Sequence, residues 1–218
     1  MTDWSTEQEA FWAGAFGDAY TDRNLGPEAL ANRVALFAKV LDHAADAETF
    51  LELGAGAGLN VRAIRVLRPA ARITAVEIND AAVKHLKRLG PEVETVHQSI
   101  LTFEPRRQYD VTLTRGVLIH IAPEQLPAVY DTLYAASCRY VCIIEYYNPA
   151  PVEVPYRGQG GKLFKRDFAG DMLDRFPDLE LLGYGFVYRR DPWPQDDVTW
   201  FVMRKRDPRP PGVPAHHP

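Results

Sequence analysis

The densest chemical signal in the sequence is Glu52-Leu53-Gly54-Ala55-Gly56-Ala57-Gly58, with Glu77 at the end of the next apolar run. Glycines let a chain turn sharply and let a ligand approach where a Cβ would collide, and a helix that starts there offers free N–H groups. An acidic side chain closing the following strand can accept hydrogen bonds from ribose hydroxyls. Together these features point to an adenosine-type ligand. A dinucleotide fingerprint, G-x-G-x-x-G, would need its third glycine at Leu59, whereas here the glycines fall at every second position, which argues against NAD. Glu52 has two readings: contact with the ligand through water, or support of the glycine turn.

A second group sits where an open α/β sheet would present it. Ligands in such sheets lie beyond the carboxyl ends of the strands, and that puts Arg115, His120 and Glu145-Tyr146-Tyr147-Asn148 at a pocket mouth. Glu145 can hold a cationic nitrogen by a charge-assisted hydrogen bond and receive its proton, with Tyr146 and Tyr147 offering flat faces to the cation. Its other reading is an anchor for the turn before Pro149. His120 is either a general base or a core histidine. Phe16, Tyr20, Asp22 and Arg23 fall where an N-terminal helix would fold over the site, although a plain helix-stop turn explains the last residues of that stretch as well. Asp196 and Asp197 precede the last strand and either add negative charge to the rim or are simply solvated. No Ser-containing elbow of the G-x-S-x-G type, no P-loop lysine and no His/Cys metal cluster is present, so no metal is expected.

Alternating helix and strand patterns must position these residues. Ser5 and Gln8 have the form of a capping box ahead of Ala10, Phe11, Ala13, Phe16 and Tyr20, which predicts one amphipathic helix over about 5–18. A second helix starts at Pro27 and carries Leu30, Val34, Phe37, Val40 and Leu41 to about His43. Strands follow at 49–53, 72–78, 93–97, 109–114, 139–145, 179–189 and 197–204, with helices after Gly58, after Asn79 as N-cap, across 123–137 and at 167–176. Residues 146–165 read as a loop. One domain is expected over 1–206, with an N-terminal cap over 1–26 and a disordered Pro-rich tail over 207–218.

Composition narrows the partners. The 218 residues are 46% hydrophobic and 25% charged with a net charge of −4, an ordinary globular balance with no broad basic footprint for nucleic acid. No run approaches the ~18 apolar residues of a membrane span, and the polar opening has no leader pattern. A cytoplasmic protein, monomer or homodimer, is the expectation. Cys138 and Cys142 lie roughly 13 Å apart along one strand and cannot bridge; both are expected to be buried.

E-x-G-x-G-x-G, an acidic end to the second strand and seven strands in this order resemble the class I S-adenosylmethionine-dependent methyltransferases over about residues 27–205. The segments YTDRN (20–24), RGVLIHI (115–121), EYYNP (145–149), FKRDFAGDMLD (164–174) and PQDDVTWF (194–201) are similar to the pseudaminic acid biosynthesis-associated methylase subfamily. The resemblance implies a Rossmann-like seven-stranded sheet of order 3-2-1-4-5-7-6 with the last strand antiparallel, and S-adenosylmethionine as cofactor. It implies cofactor contacts at Glu52, Gly54, Gly56, Gly58, Glu77, Ile78 and Arg115, with Arg23 as a partner for the methionine carboxylate. Many such enzymes bind the adenine amine with an Asp after the third strand; Ser99 stands there, so Ser99 and the backbone of Ile100 are assigned to it. The preferred acceptor is a basic nitrogen of a small cationic molecule in natural-product biosynthesis, as in the guanidino N-methyltransferases of blasticidin-type pathways. The alternatives are O-methylation of a sugar or nonulosonic acid, and a noncatalytic cofactor-binding module.

Overall fold

The computed structural model describes residues 4–23, 26–156, 158 and 160–206, without the side chains of Asp22 and Arg23. The Pro-rich tail expected over 207–218 lies outside the described residues, as do the side-chain roles assigned to Asp22 and Arg23.

Seven strands form the main sheet: β1 (Thr49–Leu53), β2 (Arg72–Glu77), β3 (Val93–His97), β4 (Tyr109–Arg115), β5 (Ser137–Glu145), β8 (Leu179–Val187) and β9 (Val198–Lys205), in the order β3-β2-β1-β4-β5-β9-β8. β9 runs antiparallel to both neighbours, while β1 to β5 are mutually parallel. This is the class I methyltransferase sheet that the resemblance implies. A two-stranded ribbon of β6 (Val152–Glu153) and β7 (Phe164–Lys165) replaces the plain loop expected over 146–165.

Side-chain alternation splits the core between the two faces. On one face Phe50, Ile73, Ala75, Cys142 and Ile144 pack under α3 (Pro27–Leu41) and α4 (Leu59–Leu67). On the other, Leu51, Leu53, Val76, Val141 and Ile143 pack under α6 (Leu126–Ala136) and α7 (Phe168–Arg175). Each fully buried aliphatic or aromatic side chain contributes roughly 1.5–3 kcal/mol, so the sheet is held from both sides. Asn79 caps α5 (Asp80–Leu86) as expected, its side chain accepting from Ala82 N at 2.9 Å. Cys142 is buried, but Cys138 is exposed at the start of β5, contrary to expectation.

The N-terminal segment departs most from the sequence reading. Instead of one helix there are two, α1 (Glu7–Ala13) and α2 (Ala15–Arg23), separated at Gly14, whose backbone is extended. The capping box is one residue further on: Thr6 accepts from Glu9 N at 3.1 Å while the Glu9 carboxylate accepts from Thr6 N at 2.9 Å. Gln8, expected in that box, donates instead to Gly161 O at 3.0 Å. Gly17 lets α2 pass close to Trp12 and Asn79, where a Cβ would stand 1.9 Å from the Trp12 carbonyl oxygen. Asn79 Nδ2 donates to Asp18 Oδ1 at 2.8 Å and to Trp12 O at 3.2 Å. The cap is thereby tied to the carboxyl end of β2.

Candidate active site

The glycine run turns from β1 into α4 under tight backbone control. Gly54 and Ala55 donate their N–H groups to Val76 O at 2.9 and 3.0 Å. Gly54, Gly56 and Gly58 all have positive φ, where side chains other than glycine are strained. At Gly54 a Cβ would also strike Val117. At Gly56 nothing lies within 4 Å of that position, so the bare backbone there faces open space.

Glu77 organises the far side of the loop. Its Oε2 accepts from Gly56 N at 2.6 Å, and its Oε1 accepts from Ile78 N at 2.9 Å and Asn79 N at 2.8 Å. Burial pushes its carboxyl above the ordinary range, with those amides pulling the other way. A carboxylate offers about four acceptor directions; three are taken here, leaving one toward the cavity.

That cavity, of about 200 Å³, lies between the sheet end and the cap. Gly54, Gly56, Glu77, Ile78, Ser99, Ile100, Arg115, His120, Tyr20 and Asp196 all line it, so ten of the residues selected from the sequence are brought together. A smaller cavity of about 40 Å³ adjoins it, sharing Tyr20, Arg115, Gly116, His120 and Asp196 and closed by Ile119, Tyr146, Tyr156 and Val198.

Other expected site residues lie elsewhere. Glu145 is buried and lines neither cavity: its Oε1 accepts from Val117 N at 2.9 Å and Leu118 N at 3.0 Å, holding the turn after β4. Burial raises its carboxyl to about 7 against those amide bonds. Asp197 accepts from Arg189 N at 2.9 Å and pairs with the Arg189 guanidinium at 3.4 Å, in the β8–β9 connection. Tyr147 is exposed and packs near Phe201, and Asn148 bonds to Ala150 O at 2.6 Å. Phe16 stacks on Phe11 at 4.1 Å and lines neither cavity, though it lies 5.9 Å from the Tyr156 ring. Glu52 and Gly58, the latter the N-cap of α4, are buried and line neither cavity.

The placement of Glu145 yields the first expected result. Glu145→Gln keeps an oxygen for both amides, so turnover should stay within about threefold of wild type, whereas Glu145→Ala strands two buried N–H groups and should cost about 2–4 kcal/mol in denaturant unfolding. A hundredfold loss of turnover in a folded Gln variant would return Glu145 to the chemistry.

Two buried polar residues of the cavity wall escaped the sequence reading. Arg33 of α3 and Asn60 of α4 line the cavity and are buried, with Arg33 Nη1 donating to Asn60 Oδ1 and Asn60 Nδ2 donating to Glu52 Oε1. Burial raises the Glu52 carboxyl to about 8, opposed by the Asn60 bond and the nearby Arg33 charge. Arg33 falls within the apolar stripe between Leu30 and Phe37, and a charge on that face was the available signal. Arg115 Nη2 donates to Gln195 Oε1 at 2.8 Å. The Nε groups of Arg33 and Arg115 are buried with no partner among the described residues.

His120 stands between aromatic rings, 4.7 Å from Trp12 and 5.0 Å from Tyr156 by ring centroids. Its Nδ1 lies 2.6 Å from Lys162 O. A carbonyl only accepts, so Nδ1 carries the proton and Nε2 the lone pair. Burial lowers its pKa to about 4, opposed by the Lys162 bond, and the imidazole is neutral at physiological pH. Among the described residues no group of three or more His, Cys, Asp or Glu side chains is placed to hold a metal, and no helix is long and apolar enough to cross a membrane.

Residues 50–137, which include the glycine loop, Glu77 and β4, match the family described as methyltransferase domain. That segment resembles a methyltransferase domain, and the whole sheet has the class I methyltransferase fold. Among curated proteins, none matches the sequence. This methyltransferase fold superposes on Burkholderia thailandensis 1,6-didemethyltoxoflavin-N1-methyltransferase, solved with 1,6-didemethyltoxoflavin and S-adenosylhomocysteine, with a TM-score of 0.69 at 16% identity, covering 91% of this chain and 87% of that one. It superposes on magnesium protoporphyrin IX methyltransferase from Synechocystis PCC 6803, solved with S-adenosylmethionine, with a TM-score of 0.66 at 13% identity, covering 94% and 100%. For mitomycin 7-O-methyltransferase the TM-score is 0.65 at 14% identity, covering 92% of this chain and 61% of that one.

Proposed function

We propose that this methyltransferase uses S-adenosylmethionine to methylate a small molecule at a hydroxyl, or another neutral heteroatom that sheds a proton, with His120 as the proton acceptor. The observation that supports the cofactor is the chemistry of the large cavity's two ends. Glu77 and the bare Gly56 backbone suit a ribose, while the unpartnered Nε groups of Arg33 and Arg115 suit an amino-acid carboxylate. When bound, S-adenosylmethionine supplies an electrophilic methyl group on a sulfonium whose departing thioether is neutral. The chain then has to hold the acceptor in line and take one proton.

The small cavity beside His120 would admit the acceptor's reacting group. His120 Nε2 takes the proton while the Nδ1–H bond to Lys162 O fixes the ring. A guanidinium acceptor would call for several carboxylates to bind the cation. Of the four acids expected to provide them, Asp196 lines the site, Glu145 and Asp197 are engaged elsewhere, and the Asp22 side chain lies outside the described residues. This shifts the reading from the guanidine acceptor toward the hydroxyl. A second reading, an amine acceptor, is favoured by Asp196 together with the faces of Tyr20, Tyr146 and Tyr156 in the same small cavity.

The test is release of S-adenosylhomocysteine from S-adenosylmethionine with a matched panel of a sugar hydroxyl, a phenol, a primary amine and a guanidine. Turnover with the hydroxyl acceptors, insensitive to salt, is expected. Turnover confined to the amine or guanidine, weakening as salt rises, would replace the first reading with the second.

A further inference from the structure

Beyond Glu77, the large cavity is walled by Ile78, Ala82, Ile100 and Leu101, an apolar slot next to the residue assigned to the ribose. A nucleoside whose ribose lies at Glu77 would put its base there. Glu9 of α1 stands on this part of the wall, 7% exposed. Its Oε2 accepts from Ser5 Oγ at 2.5 Å, Thr6 N at 2.9 Å and Thr6 Oγ1 at 3.1 Å. Its Oε1 accepts from Ser99 Oγ.

Ser99 is therefore committed. Its hydroxyl hydrogen goes to Glu9, and its oxygen accepts from Leu101 N at 3.1 Å, so it has no hydrogen to offer and one neutral lone pair left, a weaker acceptor for an amino group than the Glu9 carboxylate. A capping box requires only the Thr6 contacts on Oε2, which leaves the Ser99 bond holding Oε1 against the slot. With about two acceptor directions per oxygen, Oε1 keeps one. Burial acts to raise the Glu9 carboxyl, but the bonds from Ser5, Ser99 and Thr6 outweigh it and hold it below the ordinary range. An ionised carboxylate accepts N–H donors and repels carbonyl oxygens.

We propose that Glu9 reads the exocyclic amino group of the cofactor's base, so that the N-terminal cap helix carries the base-specificity element of the site and Ser99 positions it. This rests on the nucleoside reading of the large cavity. It gives the amino group a charged acceptor beside Ser99 and links cofactor binding to the docking of α1 on the sheet.

The experiment is calorimetric titration of the full chain with S-adenosylhomocysteine and with S-inosylhomocysteine, in which the base amino group is a carbonyl. Wild type should prefer the amino form by tenfold or more. Glu9→Ala should bring the preference close to one. Glu9→Gln retains a capping-box residue, yet its amide can also donate to a carbonyl, so it should level or reverse the preference. Ser5→Ala, which removes a bond on the other oxygen, should keep the preference within twofold of wild type. A folded Glu9→Gln protein with the wild-type preference would overturn the proposal. Absence of S-adenosylhomocysteine binding in wild type would instead overturn the cofactor reading beneath it.

Discussion

Replacing Glu77 with Ala is expected to lower affinity for S-adenosylhomocysteine by about a hundredfold. One charge-assisted hydrogen bond to a ribose hydroxyl accounts for about 1.5–3 kcal/mol, or roughly 10- to 150-fold. The same carboxylate holds Gly56 N at 2.6 Å and Ile78 and Asn79 N at 2.9 and 2.8 Å. Its loss frees the glycine loop and strands buried N–H groups, so the melting temperature should fall as well. Glu77→Gln separates these effects, because its single carbonyl oxygen can serve some of the amides without the charge; it should melt closer to wild type while binding remains weakened. Burial raises the Glu77 carboxyl, so affinity should begin to fall toward acid at a higher pH than an ordinary glutamate would give. Calorimetry on both variants, with thermal melts beside it, decides the matter. Wild-type affinity in a folded Glu77→Ala protein would remove Glu77 from the cofactor site.

The parts of this molecule that were legible in the sequence are those with a period or a fixed local chemistry. The apolar runs at 49–53 and 93–97 are strands with those bounds, and Pro27 and Asn79 start their helices as their chemistry requires. The glycine run could be read because positive φ at Gly54, Gly56 and Gly58 restricts residue type. Tertiary contacts decided the rest. Ala10, Phe11, Ala13, Phe16 and Tyr20 keep a helical spacing across Gly14, so the apolar period hides a break that the glycine alone marks; the close approach of Gly17 to Trp12 and Asn79 accompanies it. Two-residue strands such as β6 and β7 are too short to show alternation. Glu145 is at the strand end as expected, and of its two readings the hydrogen bonds are those of a turn anchor. Strand parity sets it on the face of Val141 and Ile143, beneath the turn at Val117 and Leu118, and this was readable from the alternation alone. Arg33 interrupts an apolar stripe, a signal that could have been used, whereas Glu9 lies next to the box read at Ser5 and Gln8 and its place on the cavity wall depends on how α1 docks.

Replacing His120 with Ala is expected to lower turnover of a hydroxyl acceptor by roughly 10²–10⁴, the range for a positioned proton acceptor, in a protein that still binds S-adenosylhomocysteine. His120→Gln should be as inactive, since its amide keeps a polar group but no basic nitrogen. The pH dependence makes the assignment specific. Burial puts the His120 pKa at about 4, and the base must be unprotonated, so turnover should be level from about pH 5.5 to 8 and fall only toward pH 4. A solvated histidine would break near 6.5. Stability follows the same group with a definite sign. A depressed folded pKa means the unfolded chain binds the proton first, so the contribution is complete above about 6.5 and is lost as pH falls through about 4. The 2.5 units between those values correspond to about 3 kcal/mol, and the stability difference between wild type and His120→Gln should change by that amount across the window. Unfolding curves at each pH separate this loss from the loss of active base. A turnover break near 6.5, or a His120→Ala enzyme with wild-type turnover on the hydroxyl, would leave the imidazole as packing between Trp12 and Tyr156 and favour the amine reading, in which the acceptor's own lone pair suffices and Asp196 holds it.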